Sequence, residues 1–411
     1  MYLEEIPSGW KIAKMGDVCE LRKETINPSN FPDMPYVGLE HIDSGDPRLK
    51  KIGTSSEVNS SKSRFYSGDI LYGKLRPYLD KSVLVDFDGL CSTDILVLKS
   101  KESIVPQFVV NTIHTSQFLS YSISTSSGVN HPRTSWSSIS AFQFLLPPLP
   151  EQRAIARALR AVQAAREARL REIALERERK AALMEHLFTH GTRGEPTKMT
   201  EIGEMPESWE AESLRSLAFR FISGGTPSTQ ETDFWDGCIP WTTSAPIDDQ
   251  DVILHKAQRY ITQKGLESSA SNIVPKGNLI VGTRVGVGKA VTNAIDIAIN
   301  QDLTGVILNH EKINPEFISY LFKAQMVQSF LNGRKRGTTI KGISRLDLSS
   351  LVISLPPLVE QNKMVRVLSS CDAKTVALDH EAFLLDELFR AMLEELMTGR
   401  QRAGALVSDK S

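Results

Sequence analysis

Apolar residues recur every seven positions near the end of the chain, in two interleaved series. The first series is Met364, Cys371, Leu378, Leu385 and Met392, and the second is Leu368, Thr375, Ala382, Phe389 and Leu396. Two such series, kept over about five heptads, are typical of a helix that packs along another helix. The pattern therefore predicts a long helix over residues 358–399 with a helical partner.

A second stretch, residues 151–195, carries the same pattern with a polar break in its middle. Its apolar seam positions are Ile155, Leu159, Val162, Ile173, Leu183 and Leu187. Between them lie four charged residues, Arg166, Arg169, Glu176 and Lys180. The pattern predicts a second long helix whose ends pack well and whose centre is looser or more hydrated.

The two stretches are copies of one unit. The phrase Pro-Pro-Leu-x-Glu-Gln occurs at 147–152 and again at 356–361, and the offset is 360 − 151 = 209. The same offset relates Leu159 to Leu368 and Leu187 to Leu396. A long internal period without insertions indicates a repeated architecture. We therefore expect two related globular parts, each followed by one long helix.

Charge favours pairing of the two helices with each other. Basic residues outnumber acidic residues over 151–190, and the balance is reversed over 360–399. Opposite charge along two apolar seams is typical of helices that pair. The alternative is two independent helices whose charged faces are merely solvated.

The globular parts show short apolar runs separated by turn residues, which predict strands. In the first part the predicted strands are 34–39, 70–75, 83–86, 95–98 and 142–146, with one helix over 106–120. The predicted fold class is mixed, α+β and α/β, with two repeated α/β domains. They are predicted at 1–150 and 196–357, with long helices at 151–195 and 358–399 and a disordered tail at 400–411.

Composition narrows the class of protein. The chain of 411 residues has 48 Lys and Arg against 49 Asp and Glu. It therefore lacks the overall basic excess that would indicate binding to nucleic acid. Its four cysteines are scattered without a C-x-x-C pair, which suits a reducing compartment and argues against a zinc site. Neither a signal peptide nor a membrane span is predicted. We therefore expect a cytoplasmic protein that does not associate with a membrane.

Motifs for catalysis are incomplete. Residues 282–290 resemble a phosphate-binding loop, but Thr283 replaces its first glycine and Ala290 replaces the magnesium-binding hydroxyl residue. His186 and His190 have a spacing that could bind metal, but a third ligand is missing from the pattern. The Pro-Pro-Leu segments lack the aromatic residue of an adenine methyltransferase loop. We predict no enzyme activity, no metal and no cofactor.

Several segments together resemble one family, the specificity subunit of type I restriction–modification systems. These are the paired Pro-Pro-Leu-x-Glu-Gln helices, the Trp10 and Trp209 segments, and the stretches 36–40, 223–228 and 239–241. The resemblance implies two target recognition domains, each reading half of a split DNA site. It also implies an antiparallel coiled-coil helix pair that sets the spacing and docks two adenine-N6 methyltransferase subunits, with restriction subunits joining them. Such a subunit has no catalytic site.

DNA contacts require Lys and Arg for phosphates and forked donors for bases. Residues 333–341 form the densest basic loop, and the 209 offset relates this loop to residues 124–134. The candidate DNA-binding residues are Lys74, Arg76, Lys81, Ser127, Asn130, His131 and Arg133 in the first part, and Thr283, Arg284, Lys289, Arg334, Lys335, Arg336, Thr338, Thr339 and Lys341 in the second.

Two hypotheses from other classes remain open at this point. One is a coiled-coil scaffold whose repeated domains bind proteins and do not read DNA. The other is an autonomous methyltransferase or nuclease, which the missing motifs disfavour. In the leading interpretation a helix of roughly 37 residues, about 55 Å long, acts as a ruler between half-sites at least about one DNA turn apart.

Overall fold

The computed structural model describes residues 6–337 and 341–403. The chain divides into two compact units. Unit 1 consists of the described residues up to Arg171 together with those from Asp379 onward, and unit 2 runs from Glu172 to Leu378. Each unit therefore contains one part of each long helix.

Unit 1 is built on three small antiparallel or mixed sheets. Their orders are β1-β11, β2-β10-β7-β8 and β3-β6-β9-β4-β5. The strands are β1 Lys11–Lys14, β2 Cys19–Leu21, β3 Thr25–Ile26, β4 Pro35–Val37, β5 Gly53–Thr54, β6 Lys62–Phe65, β7 Ile70–Gly73, β8 Ser82–Leu84, β9 Gly89–Cys91, β10 Ile95–Ser100 and β11 Gln143–Leu146. The helices are α1 Met15–Val18, α2 Pro106–Ile113, α3 Ser116–Ser124, α4 Trp136–Ile139 and the long α5 Leu149–His190, which continues into unit 2.

Unit 2 has four sheets, ordered β12-β13, β14-β24, β15-β23-β20-β21-β17 and β18-β16-β22-β19. The strands are β12 Thr197–Thr200, β13 Gly203–Pro206, β14 Glu210–Ser213, β15 Ala218–Ser223, β16 Trp235–Thr242, β17 Ile253–Leu254, β18 Arg259–Ile261, β19 Asn272–Val274, β20 Leu279–Gly282, β21 Ala290–Asn293, β22 Ile297–Ile299, β23 Leu303–Leu308 and β24 Val352–Leu355. The helices are α6 Gln263–Glu267, α7 Pro315–Leu321, α8 Gln325–Gly333, α9 Arg345–Ser349 and the long α10 Leu358–Met397, which continues into unit 1.

The sheets repeat between the units. The order β2-β10-β7-β8 of unit 1 matches β15-β23-β20-β21 of unit 2. A parallel pair occurs at the same place in each second sheet, β4 with β9 and β16 with β22. The sequence repeat is therefore a repeat of fold, and the predicted mixed α/β architecture with two long helices is confirmed.

Within each unit the two long helices run antiparallel. In unit 1, Arg166 pairs with Asp386 at 3.2 Å and Arg169 with Glu381 at 2.7 Å, so ascending positions on α5 meet descending positions on α10. In unit 2, Lys374 lies 3.3 Å from Glu172. The two pairs in unit 1 join a basic residue of α5 to an acidic residue of α10, as the charge balance of the two helices predicts.

Two charged residues at the centre of α5 are buried, contrary to the expectation of a hydrated centre. Glu176 is 4% and Lys180 7% exposed. Lys180 pairs with Asp372, which also accepts a hydrogen bond from the Tyr320 hydroxyl at 2.6 Å. Glu176 pairs with Arg179 and, at 3.4 Å, with Lys374. Buried charges persist because each has a partner of opposite sign.

The predicted seam residues lie on the packed faces of the two helices. The buried members are Ile155, Leu159, Ile173, Leu187, Met364, Leu368, Cys371, Leu378, Phe389 and Leu396. The half-buried members are Val162, Leu183, Leu385 and Met392. The helix ends join the globular cores: Phe389 and Leu396 pack with Trp10 in unit 1, and Leu187 and Leu368 pack with Trp209 in unit 2.

A glutamate at the start of each long helix binds a tryptophan and an arginine, and we call this group of three residues the clasp of its unit. In unit 1, Glu151 accepts from the Trp10 indole at 2.9 Å and pairs with Arg402 at 2.7 Å. In unit 2, Glu360 accepts from the Trp209 indole at 3.3 Å and pairs with Arg193 at 3.3 Å. The arginines keep the repeat offset, 402 − 193 = 209. Each clasp ties the beginning of one long helix to the segment that follows the other.

Three boundary predictions differ from the structure. The single helix predicted over 106–120 is two helices, because α2 ends at Ile113 and Thr115 caps the start of α3, its hydroxyl accepting from the Phe118 amide at 3.3 Å. The long helices end at His190 and Met397, before the predicted limits. Residues 400–403, predicted as part of a disordered tail, are placed against unit 1 through Arg402 and the buried Ala403. The remainder of that tail, 404–411, lies outside the described residues.

Lys323, just after α7, gives a prediction about alkaline stability. Burial, together with the charge of Lys180, lowers its pKa from 10.5 to about 8, although Asp251, Asp249 and Asp372 oppose the shift. Between pH 8 and 10.5 the unfolded chain therefore binds more protons at this residue than the folded chain. We expect the free energy of unfolding to rise with pH across this window, by up to about 3 kcal/mol.

Urea unfolding at several pH values in this window checks that prediction when wild type is compared with Lys323→Gln. Other groups titrate equally in both proteins, so the difference between them isolates Lys323. An identical pH dependence in the two proteins would contradict the prediction.

Candidate nucleic-acid interface

The same pair of closing backbone hydrogen bonds occurs in both units. In unit 1, Ser127 and Arg133 exchange backbone hydrogen bonds of 3.0 and 2.8 Å. In unit 2, Arg336 and Gly342 do the same at 2.8 and 2.9 Å, and both positions keep the offset, 336 − 127 = 342 − 133 = 209. We call residues 127–133 the unit 1 hairpin loop and 336–342 the unit 2 hairpin loop.

A glycine makes each of these turns possible. Gly128 has φ of +100° and Gly337 has φ of +124°. Glycine adopts such left-handed angles without the steric cost of a Cβ atom. The repeat therefore preserves the loop backbone at these positions while the side chains around them differ.

Backbone hydrogen bonds connect the end of each hairpin loop to the segment that follows one strand of its unit, β7 in unit 1 and β20 in unit 2. The Thr134 amide donates to the Lys74 carbonyl at 3.0 Å, and the Ile343 amide donates to the Thr283 carbonyl at 2.8 Å. In unit 1 the Arg76 amide also donates to the Pro132 carbonyl at 2.7 Å. These contacts bring two of the predicted segments together in each unit, 74–76 with 127–133 and 283–284 with 336–342.

The unit 1 hairpin loop presents amide and imidazole groups. Asn130 and His131 are exposed, and the Arg76 guanidinium lies 3.3 Å from the His131 Nδ1 atom. Arg133 forms two hydrogen bonds with Asp94, at 3.0 and 3.3 Å, which raise the pKa of the arginine. Asp94 thus offsets the charge of Arg133 and fixes the plane of its guanidinium.

The unit 2 hairpin loop is more basic. Arg334, Arg336 and Lys341 are exposed, Lys335 is half-buried, and Arg284 beside them is exposed. The Arg334 guanidinium stacks on the Phe330 ring at 3.6 Å, which orients it without removing its charge. Arg336 lies 3.9 Å from Asp347. Thr338 and Thr339, two of the predicted contacts, lie outside the described residues.

Three predicted contact residues are engaged inside their units. Lys81 donates to the Leu39 carbonyl and Lys289 to the Ile247 carbonyl, each at 2.6 Å. Both bonds span the same sequence separation, so they are one feature of the repeated fold. Thr283 is buried, and its hydroxyl lies 3.1 Å from that of Thr304. These residues hold the segments beneath the hairpin loops.

One exposed basic residue beside the unit 2 hairpin loop was not predicted from the sequence as a candidate contact. Arg345 begins α9 and donates to the Ser223 hydroxyl. The Ser223 segment continues through Gly224, where a Cβ atom would lie 2.1 Å from the Ile299 carbonyl oxygen. The Ser-Gly-Gly-Thr-Pro-Ser motif is visible in the sequence, but no sequence pattern predicts that this motif lies beside Arg345.

The two histidines with metal-like spacing lie on α5 and stack on each other. The ring centroids of His186 and His190 are 4.9 Å apart. Over residues 6–337 and 341–403, groups of three or more His, Cys, Asp or Glu that could hold a metal ion do not occur. Within the same part of the chain, every helix is too short or too polar to cross a membrane.

The repeated units and their paired hairpin loops define a two-domain recognition protein built on a helix pair. The family described as Type I restriction modification DNA specificity domain matches residues 7–176 and 206–382. These two matches cover most of the chain, so the protein belongs to that family.

Named relatives agree with the family. A putative type I restriction enzyme MjaX specificity subunit from Methanocaldococcus jannaschii is 24% identical over 97% of this chain and 95% of its own. The type I restriction enzyme EcoDI specificity subunit of Escherichia coli is 31% identical over 38% of this chain and 35% of its own. These relatives are named as specificity subunits and not as catalytic ones, and the role of the present chain is in DNA sequence specificity.

Solved structures show the same fold. A chain from a study of complex assembly and conformational transition of the type I R-M system has a TM-score of 0.65 at 22% identity, covering 97% of this chain and 100% of that one. The HsdS subunit from Thermoanaerobacter tengcongensis has a TM-score of 0.53 at 22% identity, covering 97% and 99%. Both likenesses extend over both units.

Proposed function

We propose that each unit reads one half of a split DNA site through its hairpin loop and the segment beneath it. The helix pair sets the distance between the half-sites and docks two adenine-N6 methyltransferase subunits, through which restriction subunits join. The protein acts in the cytoplasm, on double-stranded DNA, without a cofactor of its own. The observation that carries this proposal is one hairpin closure, present in both units, that displays different polar side chains in each.

Difference between the loops is what two half-sites of different sequence require. The unit 1 hairpin loop offers the Asn130 amide and the His131 ring, whereas the unit 2 hairpin loop offers Arg336 and Lys341. Amides and guanidinium groups are the side chains that distinguish bases in the major groove. A shared loop closure with different donors therefore supports two readers of different sequences.

Apolar side chains on the long helices support the docking of protein partners. Exposed residues of this kind are Leu170 and Leu175 on α5, and Val376, Phe383, Leu384 and Leu388 on α10. Phe383 is 59% and Val376 68% exposed. Phe383, Leu384 and Leu388 lie within six residues of α10, and exposed apolar residues grouped in this way favour an interaction surface. Methyltransferase subunits would cover them.

Replacing Arg334, Lys335 and Arg336 by alanine tests the role of the unit 2 hairpin loop and the residues that lead into it. These side chains supply most of the positive charge there, and the loss of about three phosphate or base contacts should weaken binding at least about a hundredfold. Methylated adenines are mapped by sequencing DNA from cells that express the chain with its methyltransferase subunit. We expect the split motif to weaken strongly or disappear.

The matched control replaces Asn130 and His131 by alanine in the unit 1 hairpin loop. Each set of changes should relax the sequence requirement in a different half of the motif, which assigns the halves to the units. Methylation that does not depend on the chain, with partner binding intact, would instead favour a coiled-coil scaffold whose domains bind proteins.

A further inference from the structure

Residues 76–80 of unit 1 contain two non-glycine residues with left-handed backbone. Arg76 has φ of 52° and Asp80 has φ of 46°. In unit 2 the residue before Lys289 is Gly288, with φ of +95°, at the position that corresponds to Asp80 before Lys81. Glycine adopts this conformation freely, whereas aspartate does so at a steric cost. Unit 1 thus keeps a strained aspartate where the repeat uses glycine, which indicates a role for its side chain.

The Asp80 side chain is held by His114. The His114 Nδ1 atom lies 2.9 Å from the Asp80 carboxylate, and its Nε2 atom lies 3.0 Å from the Ser82 carbonyl oxygen. A carbonyl and an ionised carboxylate only accept hydrogen bonds, so both ring nitrogens of His114 face acceptor atoms and the ring is fixed between Asp80 and Ser82. His114 is also the C-terminal cap of α2, where the helix dipole favours a positive charge.

The held segment lies beside the unit 1 hairpin loop. Tyr78 is 50% exposed, and the Arg76 guanidinium reaches His131 of the loop. The Nε atom of Arg76 is buried and lacks a hydrogen-bond partner among the described residues. The half-buried Arg76, whose guanidinium is oriented toward His131, and the exposed Tyr78 two residues later form a small polar surface that continues the candidate interface.

We propose that residues 76–80 contact the half-site read by unit 1 through Arg76 and Tyr78, and that His114 is the positioning residue that holds them there. The phenol can donate to a phosphate or a base edge and can also accept. This inference rests on the proposed function and adds Tyr78 and His114 to the residues that determine specificity.

The repeat supplies a conservative replacement for His114. The corresponding residue of unit 2 is Lys323, since 323 − 114 = 209. Its amino group donates to the Asp249 and Asp251 carbonyls at 2.7 and 2.6 Å. A half-buried lysine is thus accommodated at this place in the fold. His114→Lys places a cationic donor near Asp80, whereas His114→Gln places an uncharged polar side chain there.

The experiment uses the full chain in complex with its methyltransferase subunits. Sequencing of methylated adenines first defines the wild-type motif, and binding is then measured on duplexes carrying that motif or a base change in one half. The variants are Tyr78→Ala, His114→Gln and His114→Lys. Thermal unfolding of each complex shows whether it folds.

Tyr78→Ala and His114→Gln should each weaken binding about tenfold and lose discrimination only in the half read by unit 1, while His114→Lys stays within about threefold of wild type. Unchanged binding by Tyr78→Ala, equal loss in both halves, or a His114→Lys defect as large as that of His114→Gln would overturn the inference. If His114→Gln does not fold, Tyr78→Ala decides, because that side chain is exposed. A wild-type chain that directs no split motif would refute the proposed function itself.

Discussion

Deleting residues 169–175 and 375–381 together is expected to shorten the spacer of the methylated site while leaving both half-site sequences unchanged. Seven residues of helix span about 10 Å, equivalent to about three base pairs of rise. Because duplex DNA also turns once in about 10 base pairs, a full shift would rotate one half-site away from its reader. We therefore expect a spacer shorter by about one to three base pairs.

These two heptads are chosen so that packing survives. A seven-residue deletion keeps the apolar seam in register. It leaves both members of the pairs Arg166–Asp386 and Lys180–Asp372 in the chain. The pairs that it removes include Arg169–Glu381, Glu172–Lys374 and Arg171–Glu167. Sequencing of methylated adenines gives the spacer directly. A deletion protein that still methylates the original spacing would show that the helix pair is not the ruler.

Replacing Glu360 by alanine is expected to cost about 3 kcal/mol of the stability of unit 2. The Glu360 side chain is 1% exposed, and besides Trp209 and Arg193 it accepts from the Thr192 amide at 2.7 Å. Its removal leaves the buried indole and amide groups without an acceptor, and unsatisfied partners of a buried charge carry a penalty of this size. Amide hydrogen exchange of unit 2 measures the loss.

Glu151→Ala is the matched control because Glu151 holds the same place in the clasp of unit 1. Its side chain is 12% exposed, against 1% for Glu360, so water can replace part of what is lost. We expect a smaller destabilisation, about 1 kcal/mol, confined to unit 1. An equal or larger effect of Glu151→Ala would contradict the reasoning from burial.

The helix pair and the repeat were predictable from the sequence because their signals are local and periodic. Heptad spacing needs only the order of residues, and the 209 offset recurs without gaps through both long helices. The paired hairpin loops were also located in this way, since Gly128 and Gly337 share the offset. The sequence repeat does not predict which polar side chains are hydrogen-bonded inside the fold.

Lys81 and Lys289 illustrate that limit. In the sequence each is a basic residue near a turn, a natural candidate for a phosphate contact. In the fold each amino group bonds to a carbonyl far along the chain, Leu39 in one unit and Ile247 in the other. Likewise, nothing in the sequence pairs Arg133 with Asp94, or His114 with Asp80. Such contacts depend on loop closure, which spacing alone does not encode.

The division of the chain between the units has a consequence for its synthesis. Unit 2 is one continuous stretch, whereas the core of unit 1 includes Phe389, Leu393 and Leu396 from the far end of α10. The sheets of unit 1 are complete at Leu146, yet α10 ends at Met397, so the ribosome must add 397 − 146 = 251 residues before that core can close. At about 5–20 residues per second this takes roughly 10–50 s. The domain made first is therefore the last to be finished, and a chain cut short loses the core nearest its beginning.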